Sequence, residues 1–98
     1  MSRCRHTIIK AILETCRFEG VAFTHVMYKC QISYAMTSQY LHELKEKGFL
    51  LETSAKKDGK TLKWFRTTLK GAELIKLINQ IELMLDNPDA VFNTAIAK

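Results

Sequence analysis

Proline occurs once in these 98 residues and glycine four times, each glycine standing alone. Isolated glycines exclude a glycine-rich loop that cradles phosphates. Three cysteines, Cys4, Cys16 and Cys30, are odd in number and widely spaced, with no CxxC or HxxxH pair beside them. That pattern excludes a disulfide framework and a zinc site. No apolar run approaches the ~18 residues of a membrane span, and no apolar segment follows the start as a signal peptide would. The expected location is cytoplasmic, away from any membrane. His6, His25 and His42 have no Ser, Cys or Asp at a catalytic spacing. Glu43 and Glu46 sit beside lysines on a helix surface, where ion pairing accounts for them. The expectation is a protein that is not an enzyme and takes no cofactor, metal or small-molecule substrate.

What is present is enough for one folded unit. Hydrophobic residues make up 47 % and charged ones 26 %, which excludes wholesale disorder. The net charge of +5 is unevenly spread. Residues 1–70 carry thirteen Lys and Arg against six Asp and Glu, whereas 71–98 carry two against four. A polyanion would therefore meet the front of the molecule.

Periodicity places the elements. Ile8, Ile9, Ile12, Leu13 and Cys16 form one face of a helix over 7–17, with Lys10, Glu14 and Arg17 opposite. Val21-Ala22-Phe23 suits a short edge strand. Thr24 reads as the N-cap of a brief second helix to Cys30, with Val26 and Met27 as its core contacts. Gln31-Ile32 makes a turn, and Ser33 caps a third helix ending at Gly48 in the left-handed conformation. Its inward face carries Leu41 and Leu44 with Thr37 or Met36; Tyr34, Ser38, Gln39 and His42 face outward.

From Phe49 the period changes to that of strands. FLLETSA and KTLKWFR flank Lys56-Lys57-Asp58-Gly59-Lys60, in which Asp-Gly signals a two-residue hairpin turn. The pattern leaves open whether Trp64 or Phe65 faces inward, because a one-residue slip exchanges them. Thr68 caps a last helix from Leu69 to Asn87, closed by Pro88. The parts are those of a winged helix-turn-helix: a mainly α fold with a small β-hairpin, α+β in class. Residues 1–67 form that domain, 68–87 a C-terminal dimerisation helix and 88–98 a tail.

Four segments resemble the archaeal winged-helix DNA-binding proteins of the small chromatin-associated type. They are the helix ending in ILETC, then THVMYKCQISYAMTSQYL at 24–41, LKEKGFL at 44–50, and the hairpin followed by T-x-K-G at 68–71. The ending also resembles the wider MarR and PadR classes. The resemblance implies double-stranded DNA binding by a homodimer joined through a C-terminal coiled coil, nucleoid-associated, in transcriptional regulation or chromatin architecture. The last helix, stopping at Pro88, is short for an extended coiled coil.

The residues themselves suggest how DNA is met. Ser38 and Gln39 lie where base edges would be, and glutamine can bond bidentately to adenine N6 and N7. Ser33, Tyr34 and His42 are placed for phosphates. Lys56, Lys57, Lys60, Lys63 and Arg66 form a basic wing for the neighbouring backbone, five cations within 56–66. Arg3 and Arg5 lie in an N-terminal arm within reach of phosphates or a minor groove. In the last helix Leu74, Leu77, Ile81 and Met84 repeat at 3, 4 and 3 residues, and Ile75, Ile78 and Leu85 widen the stripe. One side is expected to pack on the first helix. The other, with Leu74, Leu77, Ile78, Ile81, Met84 and Leu85 as interface candidates, would meet the same helix of a second chain. A fold-back of Val91, Phe92 and Ile96 over it is the monomeric alternative. A winged helix can also serve as a protein-interaction module that never touches DNA, or bind RNA; the clustered wing cations favour duplex DNA.

Overall fold

The computed structural model describes residues 4–86. The elements run α1 (Arg5–Thr15), β1 (Val21–Ala22), α2 (Phe23–Cys30), α3 (Tyr34–Glu46), β2 (Leu50–Lys57), β3 (Lys60–Thr67) and α4 (Leu69–Asp86). The strands form an antiparallel sheet in the order β1-β3-β2. Expectations for Arg3, for Asn87 and Pro88, and for Val91, Phe92 and Ile96 fall outside the described residues. Within these residues no helix is long and apolar enough to cross a membrane, and no group of three His, Cys, Asp or Glu is placed to hold a metal.

Local chemistry explains most boundaries. Ser33 caps α3, its hydroxyl oxygen accepting the Met36 N–H at 3.1 Å. Thr68 does the same for α4, accepting the Gly71 N–H at 3.1 Å. Asp58 and Gly59, at φ 54° and 76°, form the expected turn, and the β2–β3 ladder runs from Lys57↔Lys60 to Leu50↔Thr67. Gly48, at φ 84°, follows α3 in the left-handed conformation.

Three boundaries differ from expectation. Helix α1 starts and stops two residues earlier, and the Cys16 carbonyl beyond it accepts the Thr67 N–H at 3.0 Å instead of extending the helix. Thr24 is not a cap: α2 begins at Phe23 directly after Ala22, which is still paired with Trp64. The ladder also extends to Lys56 and Lys57, so these residues belong to the strand rather than to the turn.

The core joins all four helices to the sheet through Ile8, Ile12, Leu13, Cys16, Val26, Cys30, Leu41, Leu44, Leu50, Phe65 and Ile75. Each fully buried aliphatic side chain contributes about 1.5–3 kcal/mol by leaving water. Thr37, not Met36, is the inward residue of α3; its hydroxyl donates to the Ser33 carbonyl at 2.8 Å, so its buried polar atom is satisfied. Phe65 is the inward aromatic, whereas Trp64 lies half-buried on the other sheet face, beside Gly20. Met27 is only half-buried, and α2 reaches the core through Val26 and Cys30.

Helix α4 packs on α1 as expected, with Ile75 and Ile78 buried and Lys10 Nζ 2.8 Å from Glu82 Oε1. Ile78 is therefore corrected: it is 3 % exposed within the single chain and is no part of an open seam. At its start α4 is clasped to the end of α3. The Thr68 hydroxyl donates to the Gly48 carbonyl (2.7 Å), Lys70 Nζ to the Lys47 carbonyl (2.6 Å) and the Thr68 N–H to the Phe49 carbonyl (3.1 Å).

Candidate nucleic-acid interface

Helix α3 is presented by the turn before it. Gln31 adopts the left-handed conformation at φ 56°, and the Ile32 N–H reaches back to the Met27 carbonyl at 3.2 Å, closing α2 in a Schellman-type turn. Ile32 is buried and anchors the turn. With Thr37, Leu41 and Leu44 held in the core, helical periodicity forces Ser38, Gln39 and His42 outward, and all three are exposed. Tyr34 is 69 % exposed, and its ring stands 4.8 Å from that of Phe23. Ser33 is exposed, but its oxygen is already engaged as the cap.

Between α3 and the β2–β3 wing lies an open cleft of about 540 Å³. Tyr34, Ser38, His42 and Lys45 line one wall, Glu52, Thr61 and Lys63 the other, and Phe65 borders it. Glu52 ties the walls together, with Lys45 Nζ at 3.3 Å from one carboxylate oxygen and Lys63 Nζ at 3.8 Å from the other. Lys45 is a cleft residue that sequence reasoning missed. The signal was available, since Ser38, His42 and Lys45 follow the i, i+4, i+7 spacing of one helix face.

Strand alternation divides the wing cations. Lys56 and Lys63 share the sheet face of Glu52 and Phe65, which looks toward α3, while Lys60 and Arg66 share the opposite face with Trp64. Lys57 pairs with Lys60 in the backbone ladder at the hairpin end. Lys63 is matched by Glu52, whereas Lys56, Lys60 and Arg66 are exposed and make no ion pair among the described residues.

Arg5 is corrected. It is the first residue of α1, not part of a loose arm, and its guanidinium pairs with Glu43 and lies 5.6 Å from the centre of the Tyr40 ring. Lys47 Nζ pairs with the same carboxylate at 2.9 Å. Hydrogen bonds from Lys47 and then Arg5 hold the Glu43 carboxyl below its ordinary value of 4.5. In the core, burial pushes the Cys16 thiol up to about 12, with Cys30 adding a smaller push.

A capped helix exposed beside a two-stranded wing, carried on three helices and a three-stranded sheet, is the arrangement that family comparison recovers: the winged helix-turn-helix family matches residues 2–86. The chain belongs to that family. Among solved structures, the winged helix resembles the DNA-binding protein Sso10a-2 of Sulfolobus solfataricus at 23 % identity and TM-score 0.69, covering 98 % of this chain and 100 % of the other. A PadR-family transcription regulator of Clostridium difficile matches at 11 % identity and TM-score 0.76, over 87 % of this chain and 96 % of that one. A mutant of S. aureus MepR bound to an oligodeoxyribonucleotide matches at 14 % identity and TM-score 0.68, over 95 % and 64 %. At such identities the likeness is one of fold. No curated protein matches the sequence.

Proposed function

We propose that this winged helix binds double-stranded DNA as a homodimer, as a transcriptional regulator or an architectural protein. The observation that carries the reading is the pairing of an exposed polar face on α3 with exposed cations on the wing beside it. A helix about 10–12 Å across fits a major groove about 12 Å wide. Ser38 and Gln39 then meet base edges, and Ser33, Tyr34 and His42 meet phosphates. Lys56, Lys57 and Lys60, with Lys63 and Arg66 behind them, reach the adjoining backbone. A MepR mutant of the same fold is bound to an oligodeoxyribonucleotide, which supports DNA as the partner.

The dimer reading rests on α4. With Ile75 and Ile78 turned inward, Leu77, Ile81 and Leu85 remain 50 %, 47 % and 70 % exposed at a spacing of four residues. Leu74 and Met84 are half-buried at the margins. An apolar stripe of this kind suits the same stripe of a second copy, as in an antiparallel or parallel helix pair. Sedimentation equilibrium at micromolar concentration tests it: twice 11.3 kDa is expected, and a clean 11.3 kDa monomer refutes it.

Fluorescence anisotropy across a salt series, on one preferred and several random duplexes, tests the DNA reading. Log affinity is expected to fall linearly with log salt, and Lys56→Ala with Lys60→Ala to flatten that slope by about 0.9 per lost contact on every duplex. Gln39→Ala is expected to cost ~1–3 kcal/mol on the preferred site and little on random DNA. Equal losses on both would favour the architectural role. No binding to any duplex at about 50 mM salt overturns the proposal.

A further inference from the structure

Gln39 and Glu43 of α3 and Lys47 at its C-cap are spaced by four and form one line along the helix, on the flank away from the wing cleft. Arg5 reaches this line from α1. Glu43 thus carries one negative charge between two cations, leaving the cluster net positive. The cations also stand further out: the side chains of Arg5 and Lys47 are 57 % and 58 % exposed, that of Glu43 27 %. The Tyr40 ring backs the guanidinium, so its position is held from two directions.

We infer that Arg5 and Lys47 form a second phosphate-binding flank, gripping the backbone strand on the side of the groove opposite the wing. The inference rests on the DNA reading above and extends it to a surface which that reading leaves unused. A helix lying in a major groove has a phosphate strand on each side. The wing serves one side, and Lys47, at the C-cap of α3, stands on the other, with Arg5 held beside it through their shared partner Glu43. Glu43 acts as a positioning residue: it aligns both cations beside Gln39's helix line before DNA arrives, which spares the ordering cost of two long side chains. Because the contacts go to phosphates, they fix the register of α3 without selecting sequence.

The test is the same salt series on Lys47→Ala and on Arg5→Ala/Lys47→Ala, with the wing variant as reference. Lys47→Ala removes only a surface i,i+4 pair, so it folds like the parent. Its slope is expected to fall by about 0.9, and that of the double variant by about twice as much, equally on preferred and random duplexes. If the parent binds DNA and the wing variant weakens while both flank variants keep the parental slope, this inference is overturned and the DNA reading stands. If the parent binds no duplex, both fall together. Thermal melting of each variant separates a lost contact from a lost fold.

Discussion

Gly71→Ala should be the most damaging single methyl group that can be added at a glycine of this protein. Gly71 is buried in the first turn of α4, where the helix meets the chain leaving α3. An added Cβ would lie inside hard contact with the Phe49 carbonyl oxygen and 2.6 Å from Thr67 Cγ2. The carbonyl is backbone and already accepts the Thr68 N–H, and the Thr67 side chain is held by its hydroxyl's hydrogen bond to the Leu13 carbonyl, so neither neighbour can simply rotate away. Overpacking of this kind costs about 1–3 kcal/mol, and a backbone obstacle places it at the upper end. Alanine returns about 0.5–1 kcal/mol through its better helix propensity. The net expectation is a loss of about 2 kcal/mol, or roughly 8–16 °C in melting temperature at about 4–8 °C per kcal/mol for a domain of this size.

Two other glycines act as controls. At Gly20 the new Cβ would be 3.6 Å from Trp64 Cβ, an ordinary contact, and the change should stay within about 0.5 kcal/mol. At Gly59 there is open space but φ is +76°, so backbone strain alone should cost about 1–2 kcal/mol. Thermal unfolding followed by far-ultraviolet circular dichroism, with urea midpoints, ranks the three. A Gly71→Ala protein as stable as the parent would refute the close-approach argument.

Ser33→Ala removes the cap of α3 and should lower stability by about 1 kcal/mol, read from the urea midpoint. In the native state a thiol reagent near neutral pH should modify exposed Cys4 promptly, while Cys16, its thiol pushed up to about 12, and buried Cys30 react only on unfolding; prompt modification of all three would contradict the packing. Glu43 has a lowered folded-state value, so its stabilising contribution is present above 4.5 and is lost as pH falls through the lowered value. Glu43→Gln should therefore melt below the parent at neutral pH and converge with it as pH falls through that lowered value. Placing a charge on the open stripe of α4, as in Ile81→Glu, should convert a dimer to a monomer in sedimentation while leaving the melting temperature of the protomer little changed, since Ile81 is 47 % exposed.

Features with local causes were legible in the sequence. The Ser33 cap, the left-handed Gly48, the Asp58-Gly59 turn and the outward set Ser38, Gln39 and His42 all follow from residues within about one turn of each other, because caps, tight turns and helix faces are settled by short-range sterics and hydrogen bonds. What depended on distant partners was not. Only packing could choose Phe65 over Trp64, since both face choices satisfy the alternation of β3 and only the core beneath decides. The inward turn of Ile75 and Ile78, leaving Leu77 and Ile81 outside, was set by where α1 lies against α4. Thr24 lost its cap to a sheet pairing between Ala22 and Trp64, forty-two residues apart in the chain. Arg5 found Glu43 across thirty-eight residues, and no pattern near residue 5 encodes that meeting. A long flexible cation takes whichever carboxylate and ring the fold brings beside it, so its role becomes definite only when the fold sets the start of α1 beside Glu43 and Tyr40.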